Sequence, residues 1–332
     1  VSMNYFSDEG KEILFKMLAD ADIFIEASKG GTWARKGITD EVLWEINPKL
    51  VIVHLSGFGQ TGDPKMVKRA AYDLTVMAYS GYMSQNGTQD QPMNPGPYAG
   101  DYFNSLMIVS STLAALHKAN RTGKGESIDM AMYETLLAIG QYYLVDYLNE
   151  GILWPRPGAR NQNLCGIGEY KCNDGFLGVC LYGVDQNKYF LETIGLGHLW
   201  GTKDIPEDTS GLWLSNPHAA EIEAAFEAYC LAHSKYDIEA DFAAHRIAAQ
   251  VVMEFEDLVQ EEHLKLREDF MDWETEDGKT FKGLGVFPKF QQTPGQVWRP
   301  MPKQGGDTVD VLSKLGYTPE QIAELTAAGV VK

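Results

Sequence analysis

Asp101 is the side chain in this sequence best placed to act as a nucleophile. It stands in the stretch NPGPYAGDYF, after a run of proline and glycine and directly before an apolar helical segment. An aspartate at the start of a helix accepts backbone N–H bonds, and these bonds together with the helix dipole keep the carboxylate ionised. The small neighbours Pro97, Ala99 and Gly100 leave room for a large reactant. A structural helix cap and a reactive carboxylate are therefore both open interpretations of Asp101.

A second group of residues suits an anionic ligand. The segment SKGGTWARKG places Lys29, Arg35 and Lys36 beside two glycines, immediately after a predicted strand. Basic side chains and free backbone N–H groups in such a loop can bind phosphate or pyrophosphate. The alternative is a set of solvated surface cations, and these residues alone do not decide between the two.

The next predicted strand leads into the loop GFGQTG, which contains Gly57 and Gly59. Its spacing matches the glycine pattern of dinucleotide-binding proteins, but Asp63 and Pro64 follow at once and no acidic residue lies about 20 positions further on to hold a ribose. We therefore do not expect NAD or flavin. A glycine loop at the carboxyl end of a parallel strand still lies where α/β proteins bind ligands.

Aromatic residues form a third group. An aromatic-rich helix and linker are predicted from Tyr133, Tyr142, Tyr143 and Tyr147, with Trp154 nearby. Such a stripe is most often part of a core, but aromatic faces also bind quaternary ammonium ions.

No other catalytic signature competes with Asp101. His54, in an apolar strand, is interpreted as a core histidine and His117 as a helix-surface residue, so no Ser-His-Asp or Cys-His pattern emerges. The four cysteines show no CxxC pair and no histidine at ligand spacing, and we expect no metal.

The composition excludes some classes of function. A formal net charge of −18 repels nucleic acid and acidic membranes, so an anionic ligand must be attracted by a local basic cluster. No apolar run is long enough to span a bilayer and no signal peptide is recognisable. Scattered thiols favour a reducing compartment, and we expect a cytoplasmic protein that binds small molecules.

Alternating elements predict the scaffold that positions these residues. Helical patterns cover residues 7–21, 39–48, 70–80 and 101–119, and the strand patterns are DIFIEAS, LVIVHLS and ESIDMA. This alternation predicts an α/β fold with a Rossmann-like parallel sheet, which we assign to a large domain of residues 1–150. The first residues, VSMNYF, read as a strand already under way, so a preceding segment is expected.

The remainder predicts a smaller α+β domain inserted into the large one. A linker rich in proline and glycine opens residues 151–286, followed by a hairpin pattern with Asp174 and Gly175 in the turn, several helices, and a second hairpin pattern at DWETEDGKTFKGLG. Residues 287–332, a loop and two short helices, are expected to return to the large domain.

Taken together, these segments resemble the class III CoA-transferases of the CaiB/BaiF type. The resemblance runs through DIFIEASKG, GITDEVLWEINPKLVI, HLSGFGQ, SGYMSQNGTQDQPM, TGKGESIDMAMYE and PGQVWRPMPKQGGDT. It is greatest for the carnitine branch of the family, although bile-acid CoA-transferases share some of this text. The resemblance implies coenzyme A thioesters as substrates, no metal and no NAD, and an interlocked homodimer.

The resemblance also implies roles for individual residues. The family's nucleophile is an aspartate in the turn before a helix, and PYAGDYF matches that motif at Asp101. Lys29 matches a CoA-contacting lysine, and Lys36 stands where the carnitine branch has arginine. The implied mechanism is covalent and passes through an aspartyl acyl anhydride and an aspartyl-CoA thioester.

Backbone donors and shielding are expected from the glycine loops. N–H groups near Gly57, Gly59 and Gly100 would stabilise oxyanions. The family's glycine loop that shields the intermediate corresponds to the region of Cys165, Gly166 and Gly168, which is less rich in glycine here.

The acceptor acid is expected to be carnitine, γ-butyrobetaine or crotonobetaine, with its trimethylammonium group against Tyr142, Tyr143 and Tyr147. Three alternatives stay open. One is a CoA-transferase for another acid, such as a bile acid. A second is an inactive CoA-binding or assembly fragment, because family members usually begin with a further strand, helix and strand. The third, an α-methylacyl-CoA racemase of the same fold, is disfavoured because Tyr72 replaces its catalytic histidine and tyrosine ionises near pH 10.

Overall fold

A computed structural model describes residues 1–140 and 142–332, and in this part the chain forms fourteen α-helices and eight strands. In chain order they are α1 (Asp8–Leu18), β1 (Ile23–Glu26), α2 (Asp40–Ile46), β2 (Val51–Ser56), α3 (Pro64–Val67), α4 (Asp73–Tyr79), α5 (Ala99–Thr122), β3 (Glu126–Ala131), α6 (Met132–Ile139), α7 (Tyr142–Glu150), β4 (Ile167–Cys172), β5 (Gly175–Cys180), α8 (Val184–Thr193), α9 (Ala219–Ala232), α10 (Lys235–Ala244), β6 (Ala248–Val251), α11 (Phe255–Leu258), α12 (Glu262–Leu266), β7 (Phe270–Glu274), β8 (Thr280–Leu284), α13 (Thr308–Lys314) and α14 (Pro319–Ala327). Among these helices, none combines the length and the apolar character needed to cross a bilayer.

The described chain divides into two compact units. The first comprises Val1–Tyr79, Tyr98–Ala138 and Val259–Lys332, and the second comprises Ser80–Pro97 and Ile139–Leu258. These limits differ from the segments 1–150, 151–286 and 287–332, whose status as domains stays a prediction. One reason for the difference is the loop 80–97, which bonds to the residues after α7: the N–H of Gly158 donates to the carbonyl of Gly87 at 2.9 Å.

A parallel sheet organises the first unit. Its strand order is β1-β2-β3, with Ile23 opposite Val51 and Val51 opposite Glu126. Helices cover both faces, because alternate residues of a strand point to opposite sides. Leu50 and Ile52 pack with residues of α1 and α2, whereas Val51 and Val53 pack with Ile108, Ala115 and Ala119 of α5. The predicted α/β fold with a parallel sheet is confirmed.

Local signals start the helices of this unit. The hydroxyl of Ser7 accepts the N–H of Gly10 at 3.1 Å, and that of Thr39 accepts the N–H of Val42 at 3.4 Å. Both are N-caps, which satisfy N–H groups that a first helical turn leaves without a partner. The predicted helices that begin at these two residues are confirmed.

The last helices of the chain pack on α1. Ile13 shares a buried cluster with Leu312, Ile322 and Val330. The opening residues form one isolated bridge, between Met3 and Val331, where the sequence predicted a strand. The reason is that the N–H of Asn4 next to this bridge donates to Val330 at 2.8 Å and the chain then turns into α1.

The second unit contains an antiparallel sheet of order β4-β5-β6. Cys172 pairs with Gly175, so Asp174 and Gly175 lie at the predicted hairpin turn. Its core is aromatic and includes Tyr170, Phe190, Phe226 and Phe242. The second predicted hairpin forms as β7 and β8 in the first unit. Both hairpin predictions are confirmed.

Candidate active site

A cavity of about 510 Å³ lies in the first unit, at the carboxyl ends of β1 and β2. Its walls come from the residues that follow these strands, from the segment before α4 and from the first turns of α5: Ala27, Ser28, Lys29, Leu55, Ser56, Gly57, Arg69, Ala70, Ala71, Tyr72, Asp101, Asn104, Ser105 and Met132. Ligands of α/β proteins bind at this end of parallel strands. The geometry therefore places Asp101 in a cavity together with Lys29 and Gly57 from the predicted ligand loops.

Asp101 is not the N-cap of its helix. The helix α5 begins at Ala99 after Tyr98, whose φ of 57° is left-handed, so Asp101 is the third helical residue. Among the described residues none donates a hydrogen bond to its carboxylate, which lines the cavity. The cap interpretation is wrong because Tyr98 is the N-cap, so Ala99 and Gly100 already lie in the helix before Asp101.

The start of α5 is instead held by Asp73, the first residue of α4. Its Oδ1 accepts the backbone N–H of Asp101 at 3.0 Å. A Cβ on Gly100 would lie 2.9 Å from this oxygen and 3.1 Å from Sδ of Met77, so glycine permits the close approach of the two helices. Partial burial and, second, the charge of Asp73 raise the pKa of Asp101 above its usual value. This differs from the expectation that helix-start hydrogen bonds favour the charged form.

Two cations share the cavity with Asp101. Lys29 follows β1 and Arg69 precedes α4, and in residues 1–140 and 142–332 neither forms a salt bridge. Because these two cations have no acidic partners, the cavity can attract an anion although the net charge of the chain is −18. Sequence reasoning did not single out Arg69; its position between the glycine loop and α4 was the available signal.

The other two predicted cations do not line this cavity. Arg35 donates to the carbonyl of Gly30 and to Oγ1 of Thr32, both at 3.1 Å, and thereby braces the loop that carries Lys29. Nζ of Lys36 lies 5.4 Å from the centroid of the Phe6 ring. The roles of Arg35 and Lys36 toward coenzyme A stay predictions.

The glycine loop after β2 is fixed by its own contacts. A Cβ on Gly57 would lie 2.0 Å from Cβ of Ala71, so only glycine fits at this wall of the cavity. Gly59 has a φ of 84°, and its N–H donates to Oγ of Ser56 at 2.9 Å. The N–H of Gly59 is therefore already engaged within the loop. In the second unit the N–H of Gly166 is engaged in the same way, with Glu223 at 2.8 Å.

Asn104, one turn beyond Asp101 in α5, is a further residue that sequence reasoning missed. It is fully buried and its Nδ2 donates to the carbonyls of Gly100 at 2.8 Å and Met132 at 3.2 Å. Its Oδ1 has no hydrogen-bond partner among the described residues. The spacing of three residues from Asp101 was the signal, since such residues neighbour each other on a helix.

His54 is not an apolar core residue. Its Nδ1 lies 2.8 Å from Oε1 of Glu26, and its Nε2 lies 2.8 Å from Oδ1 of Asp40. Burial alone would lower the pKa of His54, but the hydrogen bonds to Asp40 and Glu26 raise it to about 9. Within the described part of the chain, no cluster of histidine, cysteine and acidic side chains has the arrangement of a metal site. His117 is exposed on α5, as predicted.

The predicted aromatic group lies in the second unit. The rings of Tyr142 and Tyr143 stack at 4.9 Å, and Trp154 meets Tyr142 edge-on at 6.2 Å. Nε1 of Trp154 donates to the carboxylate of Asp146 at 2.7 Å. The Tyr147 side chain is half exposed. A carboxylate of α7 thus contacts Trp154, whose ring meets that of Tyr142.

Comparison with known proteins gives the class to which this site belongs. A family model described as CoA-transferase family III matches residues 1–308. The chain therefore belongs to CoA-transferase family III, whose members use CoA thioesters as substrates, and it is a class III CoA-transferase.

Solved structures show the same fold. A CAIB/BAIF family protein from Brucella suis is 24% identical, with a TM-score of 0.75, and the match covers 94% of this chain and 80% of that one. An orthorhombic crystal form of Rv3272 from Mycobacterium tuberculosis is 19% identical, with a TM-score of 0.78 and coverage of 94% and 82%. At these sequence identities the likeness shows that the fold is shared.

Proposed function

We propose that Asp101 is the nucleophile of a covalent CoA transfer. The observation that carries this proposal is the cavity at the strand ends, which holds the carboxylate of Asp101 together with Lys29 and Arg69. A carboxylate without donors is free to attack, and the two cations suit the phosphates and the leaving thiolate of a CoA thioester. A racemase finds less support, because Tyr72 at this cavity is 78% exposed and lacks a basic partner among the described residues.

The proposed reaction runs through two covalent intermediates. An oxygen of Asp101 attacks the acyl carbonyl, the acyl C–S bond breaks, and an aspartyl acyl anhydride forms as CoA leaves as thiolate. The thiolate then attacks Cγ of Asp101, which forms the aspartyl-CoA thioester and releases the first acid as carboxylate. The incoming carboxylate reverses both steps and leaves as the new CoA thioester. Every attacking group is already an anion, so no general base is required.

Protein groups near the cavity serve binding and charge stabilisation. Lys29 and Arg69 would offset the overall repulsion between the acidic chain and an anionic coenzyme. Backbone N–H groups beside Gly57, which lines the cavity, would donate to a developing oxyanion, whereas the N–H of Gly59 is bonded to Ser56.

For the acids, we propose betaines: CoA moves from γ-butyrobetainyl-CoA or crotonobetainyl-CoA to carnitine. The support is the cluster of Tyr142, Tyr143 and Trp154, together with the Asp146 carboxylate that is bonded to Trp154. Tyr147 lies half exposed on the same helix. Aromatic faces and a nearby carboxylate both attract a trimethylammonium group. The test compares carnitine with an isosteric neutral acid as acceptor. Equal turnover of the two acids would contradict the betaine proposal.

A homodimer and a cytoplasmic location belong to the same proposal. The helix α5 buries one face and exposes an apolar stripe on the other, at Tyr102, Leu106, Val109 and Leu113, and Tyr98 is exposed directly before it. Covering such a stripe favours association with a second chain. Light scattering tests this: Leu106→Glu should yield monomers, and Val309→Glu, a similar change on α13, should not.

The decisive experiment for the nucleophile is chemical trapping. The protein is incubated with γ-butyrobetainyl-CoA and hydroxylamine, which converts an anhydride or thioester at an aspartate to a hydroxamate. We expect the hydroxamate on the peptide that contains Asp101, its loss in Asp101→Asn, and its retention in the exposed control Asp208→Asn. A hydroxamate on another residue would refute the assignment, and an unmodified wild-type protein would favour an inactive fragment or another acyl group.

A further inference from the structure

Asp73 is a buried acid to which the proposed mechanism gives no task. Only 7% of its surface is exposed, and in the described part of the chain it forms no salt bridge. A buried carboxylate without a cation is costly to maintain, since burial disfavours the charged form. Asp73 therefore needs an explanation beyond packing.

Its surroundings connect it to one group, the reactive residue. Oδ1 of Asp73 accepts the backbone N–H of Asp101, and Gly100 between the two helices leaves no room for a side chain that would separate them. A hydrogen bond to a neutral amide would be made equally well by the carbonyl oxygen of an asparagine. What asparagine lacks is the negative charge beside the Asp101 carboxylate.

We propose that Asp73 is a positioning residue whose charge favours the acylated form of Asp101 over the free carboxylate, while its hydrogen bond fixes the start of α5. This inference rests on the proposed role of Asp101 as nucleophile. It adds a second residue to the machinery of the reaction, one that acts through Asp101 and does not touch the substrate.

The physical reason is the change in charge during the reaction. In the free enzyme the carboxylate of Asp73 accepts the backbone N–H of Asp101, and the negative charges of the two residues repel each other. When Asp101 forms its bond to the acyl carbon and the C–S bond breaks, the negative charge leaves with the CoA thiolate. In the second step the thiolate displaces the acid from Cγ, and the negative charge leaves with the released carboxylate. Both covalent intermediates are neutral at residue 101, so each relieves the repulsion from Asp73.

Other groups that face Asp101 do not cancel this effect. Lys29 from the loop after β1, and Arg69 and Tyr72 from the segment before α4, line the same cavity. The two cations favour the free carboxylate, yet the pKa of Asp101 lies above its usual value, with burial and the charge of Asp73 as its causes. Neither Lys29 nor Arg69 is among the causes of this shift, so the cations do not cancel the effect of Asp73.

The test separates the charge of Asp73 from its hydrogen bond. Asp73→Asn keeps an acceptor for the N–H of Asp101 and removes the charge, whereas Asp73→Ala removes both. We measure the fraction of Asp101 present as covalent adduct at equilibrium with the acyl-CoA, and the pH at which trapping falls on the acid side. For Asp73→Asn we expect a smaller adduct fraction and an acid limb moved to lower pH. Because both readouts follow the same charge, the adduct equilibrium should fall about tenfold for each pH unit by which the limb moves.

Asp174→Asn is the matched control, because the Asp174 carboxylate accepts the N–H of Lys235 at the start of α10 in the second unit. It should leave both readouts unchanged. If Asp73→Asn does not fold, Ser105→Lys introduces a cation on the cavity wall one turn from Asp101 and should lower the adduct fraction with Asp73 intact.

Adduct fractions and acid limbs equal to those of the wild type, in a folded Asp73→Asn protein, would overturn the inference. In Ser105→Lys, an unchanged adduct fraction would do the same. Failure of the proposed function is distinguishable, because the wild-type protein itself would then show no adduct at Asp101.

Discussion

His54 should make the stability of this protein depend on pH in the alkaline range. The imidazole lies 2.8 Å from both Glu26 and Asp40, and these hydrogen bonds raise its pKa to about 9, compared with a usual 6.5. A raised pKa means that the folded state binds the proton more tightly than the unfolded state. The contribution to stability is therefore complete below pH 6.5 and is lost as the pH rises through about 9.

The size of the effect follows from the same two values. A difference of one pKa unit corresponds to 1.36 kcal/mol, so the step from 6.5 to about 9 corresponds to about 3 kcal/mol. The side chain of His54 is only 13% exposed, which limits the screening by solvent. About 3 kcal/mol is a large share of the stability of a typical domain.

The assay is denaturant unfolding followed by tryptophan fluorescence at pH 6 and at pH 9.5, for the wild type and for His54→Gln. Between the two pH values the wild type should lose about 3 kcal/mol more in its free energy of unfolding than the variant. His117→Gln, at the exposed histidine of α5, should behave as the wild type does. Titration of the imidazole by NMR gives the pKa of His54 directly.

Two results would refute this reasoning. One is a stability difference between wild type and His54→Gln that is the same at both pH values. The other is an imidazole of His54 that titrates near its usual pKa of 6.5, since the bonds to Glu26 and Asp40 would then contribute no preference for the charged form.

Two further predictions concern the backbone around the cavity. Tyr98→Gly should raise the free energy of unfolding by up to about 1 kcal/mol, because it replaces a well exposed tyrosine in the left-handed conformation by a residue that adopts this conformation without strain. Tyr98→Ala keeps the strained conformation and should not raise it. A lower melting temperature for Tyr98→Gly than for the wild type would contradict this prediction. Gly57→Ala should lower the free energy of unfolding by about 1–3 kcal/mol and reduce hydroxamate formation at Asp101, because the added Cβ would overlap Ala71. In the control Gly178→Ala the nearest atom to the added Cβ is 3.7 Å away, so stability and hydroxamate formation should both stay unchanged. Equal melting curves for Gly57→Ala and the wild type would show that the loop can shift.

The sequence was sufficient for features that neighbouring residues determine. Ser7 and Thr39 were recognisable as helix starts because an N-cap depends on residues three positions apart. Asp174 and Gly175 identified a hairpin because the turn needs their conformational freedom. The parallel sheet followed from the alternation of strands and helices, which is a property of whole segments.

The features that failed depend on residues distant in the chain. Asp101 looked like a cap, but the group that bonds to its N–H is Asp73, 28 residues earlier. His54 looked like a core residue, but the register of β1 and β2 places it opposite Glu26, and α2 brings Asp40 to its other nitrogen. Only the packing of the elements brings these charges together, and no local pattern records it.

The interleaving of the two units has a consequence for the order of folding. Residues 80–97 and 139–258 belong to the second unit, so the first unit contains three separate stretches of chain. Ile13 of α1 shares its buried cluster with Leu312, Ile322 and Val330, roughly 300 residues later. During synthesis the second unit can close before the last stretch of the first unit is made, and contacts so far apart in sequence form slowly. The first unit, which carries the cavity with Asp101, is therefore expected to complete its folding after the second unit.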